Sequence, residues 1–205
     1  MGTTAQKLAY TAQAKADIKT AIESKGVTVG DIPFGDYAGK INLLSGGKFG
    51  SLVARSITTV TADDLAGVTK IGEYAFNYCV KLTSIILPDG IVSIGAYAFE
   101  NCTVLSGELI IPNSVNSIGN NAFKNNYSLT KVVIGSGIQS IGAASFNSDR
   151  LVTEIIIHAT TPPTLSSDNA FLGSYPIYVP AASVTAYQSA TNWASLASRI
   201  QAIPS

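Results

Sequence analysis

The chain has 205 residues, 46% of them apolar, and its 13 basic and 13 acidic residues cancel to a formal net charge of zero. This length bounds one domain, or a solenoid with a small appendage, around a sizeable core, and the lack of a basic footprint excludes the phosphate neutralisation on which nucleic-acid binding rests. With only 13% of residues charged, uncharged Ser, Thr, Asn and Gly must furnish the surface, which suits stacked β-structure of exported or virion proteins better than a cytosolic enzyme. In chain order, Met1 to Tyr10 is polar and lacks the basic start and apolar run of a secretion signal. Either a signal was removed or the protein leaves the cell by another route, such as lysis with a phage particle. No apolar run approaches the roughly 18 to 20 residues of a membrane-spanning helix, so membrane insertion is not expected.

Leu8, Ala12, Ala16, Ile18, Ala21 and Ile22 have a helix-like apolar spacing, opened by Thr3 or Thr4 as a cap and stopped by Gly26. A second, shorter helix is expected from Pro33 through Tyr37 and Ile41 to Leu44. Ser45-Gly46-Gly47 then reads as a linker. Gly46-Gly47-Lys48 lacks the earlier glycine and the following Ser or Thr of a phosphate loop.

From Ile57 onward the chain repeats itself. The hexad Ile71-Gly72-Glu73-Tyr74-Ala75-Phe76 returns at Ile94 to Phe99, at Ile118 to Phe123 and at Ile141 to Phe146, in nearly equal steps of which the middle one is longer by a single position. A looser copy, Asn169-Ala170-Phe171, follows after a slightly longer step. Between hexads lies a shared strand-like run: Leu82 to Pro88, Leu109 to Pro112, Leu129 to Ile134 and Leu151 to Ile157. Ile57 to Val60, with Val68 and Ile71, forms a worn earlier copy, and about five coils result. In each strand the two-residue alternation turns Ile85 and Leu87 inward and Ile86 outward. A second extended run, Ile91 to Ile94, places Ile91 and Ile94 inside. Gly95 is expected to let the backbone turn without a Cβ penalty, Ala98 to allow close approach, and Phe99 to fill the middle. No coil buries its own apolar side, so stability comes from stacking on neighbours.

Little in the chain points to chemistry. The single histidine, His158, sits at a strand end and is expected to be structural or solvent-facing; no G-x-S-x-G or comparable nucleophile setting accompanies it. Cys79 and Cys102 each follow a hexad phenylalanine by three residues. Stacked at a spacing of about 4.8 Å, they are close enough to bridge, but in-register side chains point the same way, and the reading is a pair of free, structural thiols. Asp63-Asp64, the only acidic pair, reads as a turn rather than a cation site. Catalytic residues, metal ligands and cofactors are not expected.

Aligned coils generate two candidate binding columns. The first is aliphatic and outward-facing: Ile86, Ile110, Val133 and Ile156. Two residues earlier stand Ser84, Glu108, Lys131 and Glu154, whose Glu-Lys-Glu order lets neighbouring coils pair charges. Four exposed β-branched side chains in a row mark a contact strip, either for a ligand or for the amphipathic N-terminal helices, which themselves need something to pack on. The second column is polar: Ser93, Ser117 and Ser140, with Val92, Asn116 and Gln139 beside it, a hydrogen-bonding face suited to glycans or protein loops.

At the C-terminal end, Thr161 to Leu165, Ile177 to Pro180, Tyr187, Trp193 and Ile200 read as a cap that covers the last apolar face and strand edge. Ala181 to Ala190 is the expected cap helix, and Trp193 its core.

The copy from Leu82 to Cys102 resembles, nearly position for position, the unit L-t-s-I-x-I-P-x-s-V-t-x-I-G-x-x-A-F-x-x-C of the BspA-like leucine-rich repeat family, also called the Treponema pallidum type. The resemblance covers about residues 57 to 180. It implies a non-enzymatic surface or adhesion protein of bacteria, protists or phages and names no ligand. Separately, Thr4 to Leu8, Ile18 to Ile22, Lys25-Gly26-Val27 and Tyr37 to Ile41 resemble an N-terminal segment of phage and prophage tail-associated proteins. The expected fold is a β-rich, right-handed leucine-rich-repeat solenoid of about five coils, each of roughly 23 to 24 residues. It divides into a helical N-terminal segment over 1–47, repeats over 48–160, and the last coil with a helical cap over 161–205. The expected function is non-catalytic recognition of a host or bacterial surface protein or glycan, extracellularly, on a cell surface or virion. The alternative is a structural assembly or spacer protein whose N-terminal helices form a homo-oligomer or dock onto a larger particle.

Overall fold

In a computed structural model that describes residues 57–147 and 151–204, each repeat forms one coil stacked on the next. The two helices and the linker expected between Thr3 and Gly47 lie outside the described residues.

Two ladders of short parallel strands run along the stack. On one side β2 (Lys70–Ile71), β4 (Ser93–Ile94), β6 (Ser117–Ile118), β8 (Ser140–Ile141) and β10 (Thr164–Leu165) pair in that order. On the other, β1 (Thr59–Val60) pairs with β3 (Ser84–Ile85), and β5 (Ser106–Ile111), β7 (Ser128–Ile134), β9 (Glu154–Ile157), β11 (Ile177–Val179) and β12 (Ile200–Ala202) form a second five-stranded sheet. Parallel pairing in a fixed register is what a repeat of nearly constant length enforces, since each residue meets its own equivalent one coil away. Ser93 faces Ser117 and Ser117 faces Ser140; Ile110 faces Val133 and Val133 faces Ile156.

The longer step between the hexads at Ile94 and Ile118 coincides with an irregularity at Gly107, which adopts φ +78° and after which the register with β7 shifts before Glu108. There the larger ladder breaks between β3 and β5, which stay joined through the Ser106 amide donating to Thr83 O at 3.1 Å.

A third side is held mainly by backbone hydrogen bonds. The amides of Tyr74, Phe76 and Tyr78 donate to the carbonyls of Ala96, Ala98 and Glu100 at 3.0, 2.7 and 2.8 Å, and the pattern recurs in the next coils. Within this frame Gly95 does not serve the turn, as its φ is not positive. A Cβ there would lie 2.6 Å from the backbone nitrogen of Glu73. Gly119 and Gly142 meet Ala96 and Asn120 in the same way, so glycine is required for coil-to-coil approach. The left-handed backbone sits two residues later, at Tyr74, Tyr97, Asn121 and Ala144.

The core follows the repeat. Phe76, Phe99, Phe123, Phe146 and Phe171 stack in one column with centroids 4.9 to 5.5 Å apart and nearly parallel planes. Leu82, Leu105 and Leu129, and Ile94, Ile118 and Ile141, form further buried columns. After β11 a 3-10 turn, Ala181–Ser183, leads into α1 (Val184–Ser189), and a second 3-10 stretch, Ala194–Arg199, leads into β12. Trp193 extends the aromatic column at 5.6 Å from Phe171, meets Tyr187 edge-on and donates its indole N–H to Pro163 O at 2.8 Å.

Candidate functional site

Outward-facing columns exist because each strand alternates while each coil repeats. In β5, Leu109 and Ile111 are buried and Ile110 points out; β7 and β9 do the same with Val132 and Ile134 around Val133, and with Ile155 and Ile157 around Ile156. The aliphatic column is thus present, but it is not uniformly open. Ile86 and Ile110 are 59% and 56% exposed, whereas Val133 and Ile156 are half-buried. Val133 is flanked in register by Ile110 and Ile156, and Ile156 by Val133 and Tyr178. Ile110 borders the break at Gly107 and has a paired neighbour on one side only. The expectation of four exposed residues in a row is corrected to two open positions at the amino-terminal end.

Beside this column the expected charge pairing is realised. Lys131 Nζ lies 3.4 Å from Glu108 and 3.1 Å from Glu154, which holds the lysine pKa above its ordinary value, chiefly through the hydrogen bond to Glu154. Further along the coil, hydroxyls stitch one corner: Thr83 Oγ1 donates to Thr58 O, Ser106 Oγ to Thr83 O and Thr153 Oγ1 to Thr130 O, at 2.8, 3.3 and 3.1 Å. The hydroxyls of Thr83, Ser106 and Thr153 thus bind coil to coil.

The polar column lies on the smaller sheet. Ser93, Ser117 and Ser140 are half-buried and in register, continued by Lys70 at one end and Thr164 at the other. Next to it Val92 and Gln139 are exposed and Asn116 is half-buried. The backbone of this row is engaged between coils, the Asn116 amide donating to Val92 O and the Gln139 amide to Asn116 O, both at 2.8 Å. What faces solvent is side chain.

The sequence reading passed over a third surface. Tyr74 and Tyr97 stack at 4.7 Å with an interplanar angle of 1°, and Tyr74 and Tyr78 are 37% and 49% exposed. Partial desolvation, then Tyr97, Glu73 and Glu100, hold the Tyr74 phenol above its ordinary pKa. The signal available in the sequence was the variable position of the hexad, which holds Tyr twice and then Asn and Ala.

His158 is exposed and its backbone amide bonds Ile134 O. Cys79 and Cys102 are buried and form no disulfide. Asp64 accepts from the amide and hydroxyl of Thr61 at 2.8 and 2.7 Å, which fixes the short 3-10 turn Asp63–Leu65. Among the described residues no group of three His, Cys, Asp or Glu side chains could hold a metal ion, and no helix is long and apolar enough to cross a membrane.

No curated protein matches the chain. The family model of the BspA type leucine rich repeat region matches in six copies over residues 55–178, one copy more than the hexads alone mark and more than half of the chain. Together with the parallel ladders and the phenylalanine column over the same span, this places the chain in the BspA-type leucine-rich repeat family.

Proposed function

We propose that this protein is a non-catalytic binding module that recognises a cell-surface protein or glycan outside the cell, carried by a phage or prophage tail-associated protein or by a bacterial surface adhesion protein. The observation that carries the reading is the pair Ile86 and Ile110, each more than half exposed, on the coils that flank the break at Gly107. Isolated exposed aliphatics are ordinary, but two on successive coils of a hydrogen-bonded stack offer a preformed contact patch that costs little ordering on binding. The serine column on the other sheet adds a second, hydrogen-bonding face. Repeat folds build such extended surfaces by stacking, and sequence changes at outward positions alter recognition without touching the core.

The test is binding of fluorescently labelled full-length chain to intact bacteria, with unlabelled chain as competitor. Saturable, competed binding that weakens in an Ile86→Ser/Ile110→Ser variant supports the reading. Absence of saturable binding to intact cells and to their extracted surface proteins and glycans would reject it.

A further inference from the structure

On the third side of the stack, two columns of residues take the left-handed region. The first column holds Tyr74, Tyr97, Asn121 and Ala144; the second, four residues on, holds Tyr78, Asn101 and Asn125; all have φ between 53° and 64°. The cause is the ladder. Each of these amides must point along the stack to reach the next coil, as Tyr97 N–H reaches Asn120 O at 2.9 Å, Asn101 N–H reaches Lys124 O at 2.9 Å and Asn125 N–H reaches Asn147 O at 3.0 Å. Asparagine tolerates this conformation and takes three of the seven positions; a bulky aromatic residue there is an outlier. The chain nevertheless places tyrosine at three positions, all within two adjacent coils. Strain that the fold itself does not require, gathered at one exposed corner, points to a role beyond folding.

The surroundings narrow that role. Tyr74 and Tyr97 form a stacked pair, and Tyr78 stands exposed in the adjacent column. Amides and carboxylates frame the rings: Asn77 Nδ2 donates to Glu100 Oε2 at 3.1 Å and to Tyr97 O at 3.4 Å. The carboxylates of Glu73 and Glu100 beside the rings disfavour an anionic ligand. Rings as exposed as those of Tyr74 and Tyr78 are not desolvated in the way a protein hot spot is. Aromatic faces and edges next to fixed amides suit a ligand with an apolar face and a rim of hydroxyls, and tyrosine supplies such contact with little loss of side-chain entropy.

We propose that Tyr74, Tyr78 and Tyr97 are the contact residues of a neutral-saccharide site at the amino-terminal end of this turn face. The proposal rests on the binding-module reading and assigns it a ligand class and a place.

The decisive variant of the full chain is Tyr74→Asn/Tyr78→Asn/Tyr97→Asn, which installs the residue the fold already carries at 101, 121 and 125. It relieves left-handed strain but also removes the Tyr74–Tyr97 stack, so its thermal midpoint is measured beside its binding. Calorimetric titration uses chitohexaose, cellohexaose and maltohexaose as probes, alongside binding to intact bacteria before and after protease treatment of the cells. The expected result is that the native chain binds at least one hexasaccharide and the protease-treated cells, and that the variant is weaker by at least about tenfold at a temperature where both chains are folded. A purely structural role would move stability and binding together. Should the triple variant fail to fold, Tyr78→Asn alone, which leaves the Tyr74–Tyr97 pair intact, carries the same test. Equal binding by variant and native chain overturns the site and leaves the binding-module reading standing. Binding that protease abolishes, with no hexasaccharide bound, identifies a protein partner and overturns the ligand class. No saturable binding to cells or sugars overturns the module reading, and the site with it.

Discussion

Three residues beyond Phe76, Phe99 and Phe123, a side chain turns inward beneath carbonyls of the aromatic column. Cys79, Cys102 and Asn126 occupy this position, all fully buried. Cys102 Sγ donates to Phe76 O at 3.1 Å, which requires a protonated thiol and fits its being unbridged. Asn126 serves the same carbonyl one coil later and one more besides, donating to Phe99 O at 3.1 Å and to Phe123 O at 2.6 Å. Replacing it with alanine leaves both acceptors without that donor in a dry core, a loss of about 1 to 3 kcal/mol. Asn126→Cys restores the weaker donor used at 102 and is expected to lose less. Denaturant midpoints of the two variants check the order, and Cys faring no better than Ala would show that volume rather than hydrogen bonding governs the site. The cysteine spacing was legible in the sequence. Asn126 was not, because a polar side chain in the repeat reads as surface unless the carbonyls above it are known.

Strand alternation was the most legible element-level feature, since a period of two superposed on a repeat of nearly constant length leaves one choice of inward face. Leu109, Ile111, Val132, Ile134, Ile155 and Ile157 are accordingly buried. The degree of exposure of the outward column was not legible, because it depends on whether a residue has row neighbours on both sides; Val133 does, and Ile110, next to the break at Gly107, does not. Nor was β12, whose exposed Gln201 and Ala202 give no apolar alternation. The charge row gives a prediction at this scale. Lys131 has a raised pKa in the fold, so its contribution is fully present below the ordinary lysine value of about 10.4 and is lost as pH rises through the folded value. Lys131→Met should therefore reduce stability at neutral pH and low salt. The difference from the native chain should vanish in strongly alkaline solution and shrink as salt screens the exposed pairs. Urea melts of both chains at low and high salt and across pH would show it; a difference insensitive to both would mean that the lysine acts through its methylene stem.

At the scale of the molecule, the strands of the described coils pair with those of the adjacent coils, so stability is a sum of coil terms and interfaces between coils rather than the property of one central core. The aromatic column makes the interfaces explicit. Phe123 stacks on Phe99 at 5.0 Å and on Phe146 at 5.3 Å, while among the described residues Phe76 stacks on Phe99 alone, at 4.9 Å. Truncating a buried phenylalanine to alanine costs about 3 to 5 kcal/mol where the site cannot collapse. In the middle of a linear stack that loss falls on two interfaces at once and uncouples the coils on either side; at the end it falls on one, and the terminal coil can fray to relieve it. Phe123→Ala is therefore expected to divide unfolding into two steps, the coils of Phe76 and Phe99 separating from those of Phe146 and Phe171, whereas Phe76→Ala lowers protection only in the first coil. Hydrogen exchange resolved by coil distinguishes the two patterns. If both variants lose protection evenly along the chain, the stack behaves as a single cooperative unit, and the outward columns on different coils are then coupled through the core, so that a ligand held at one end stiffens the other.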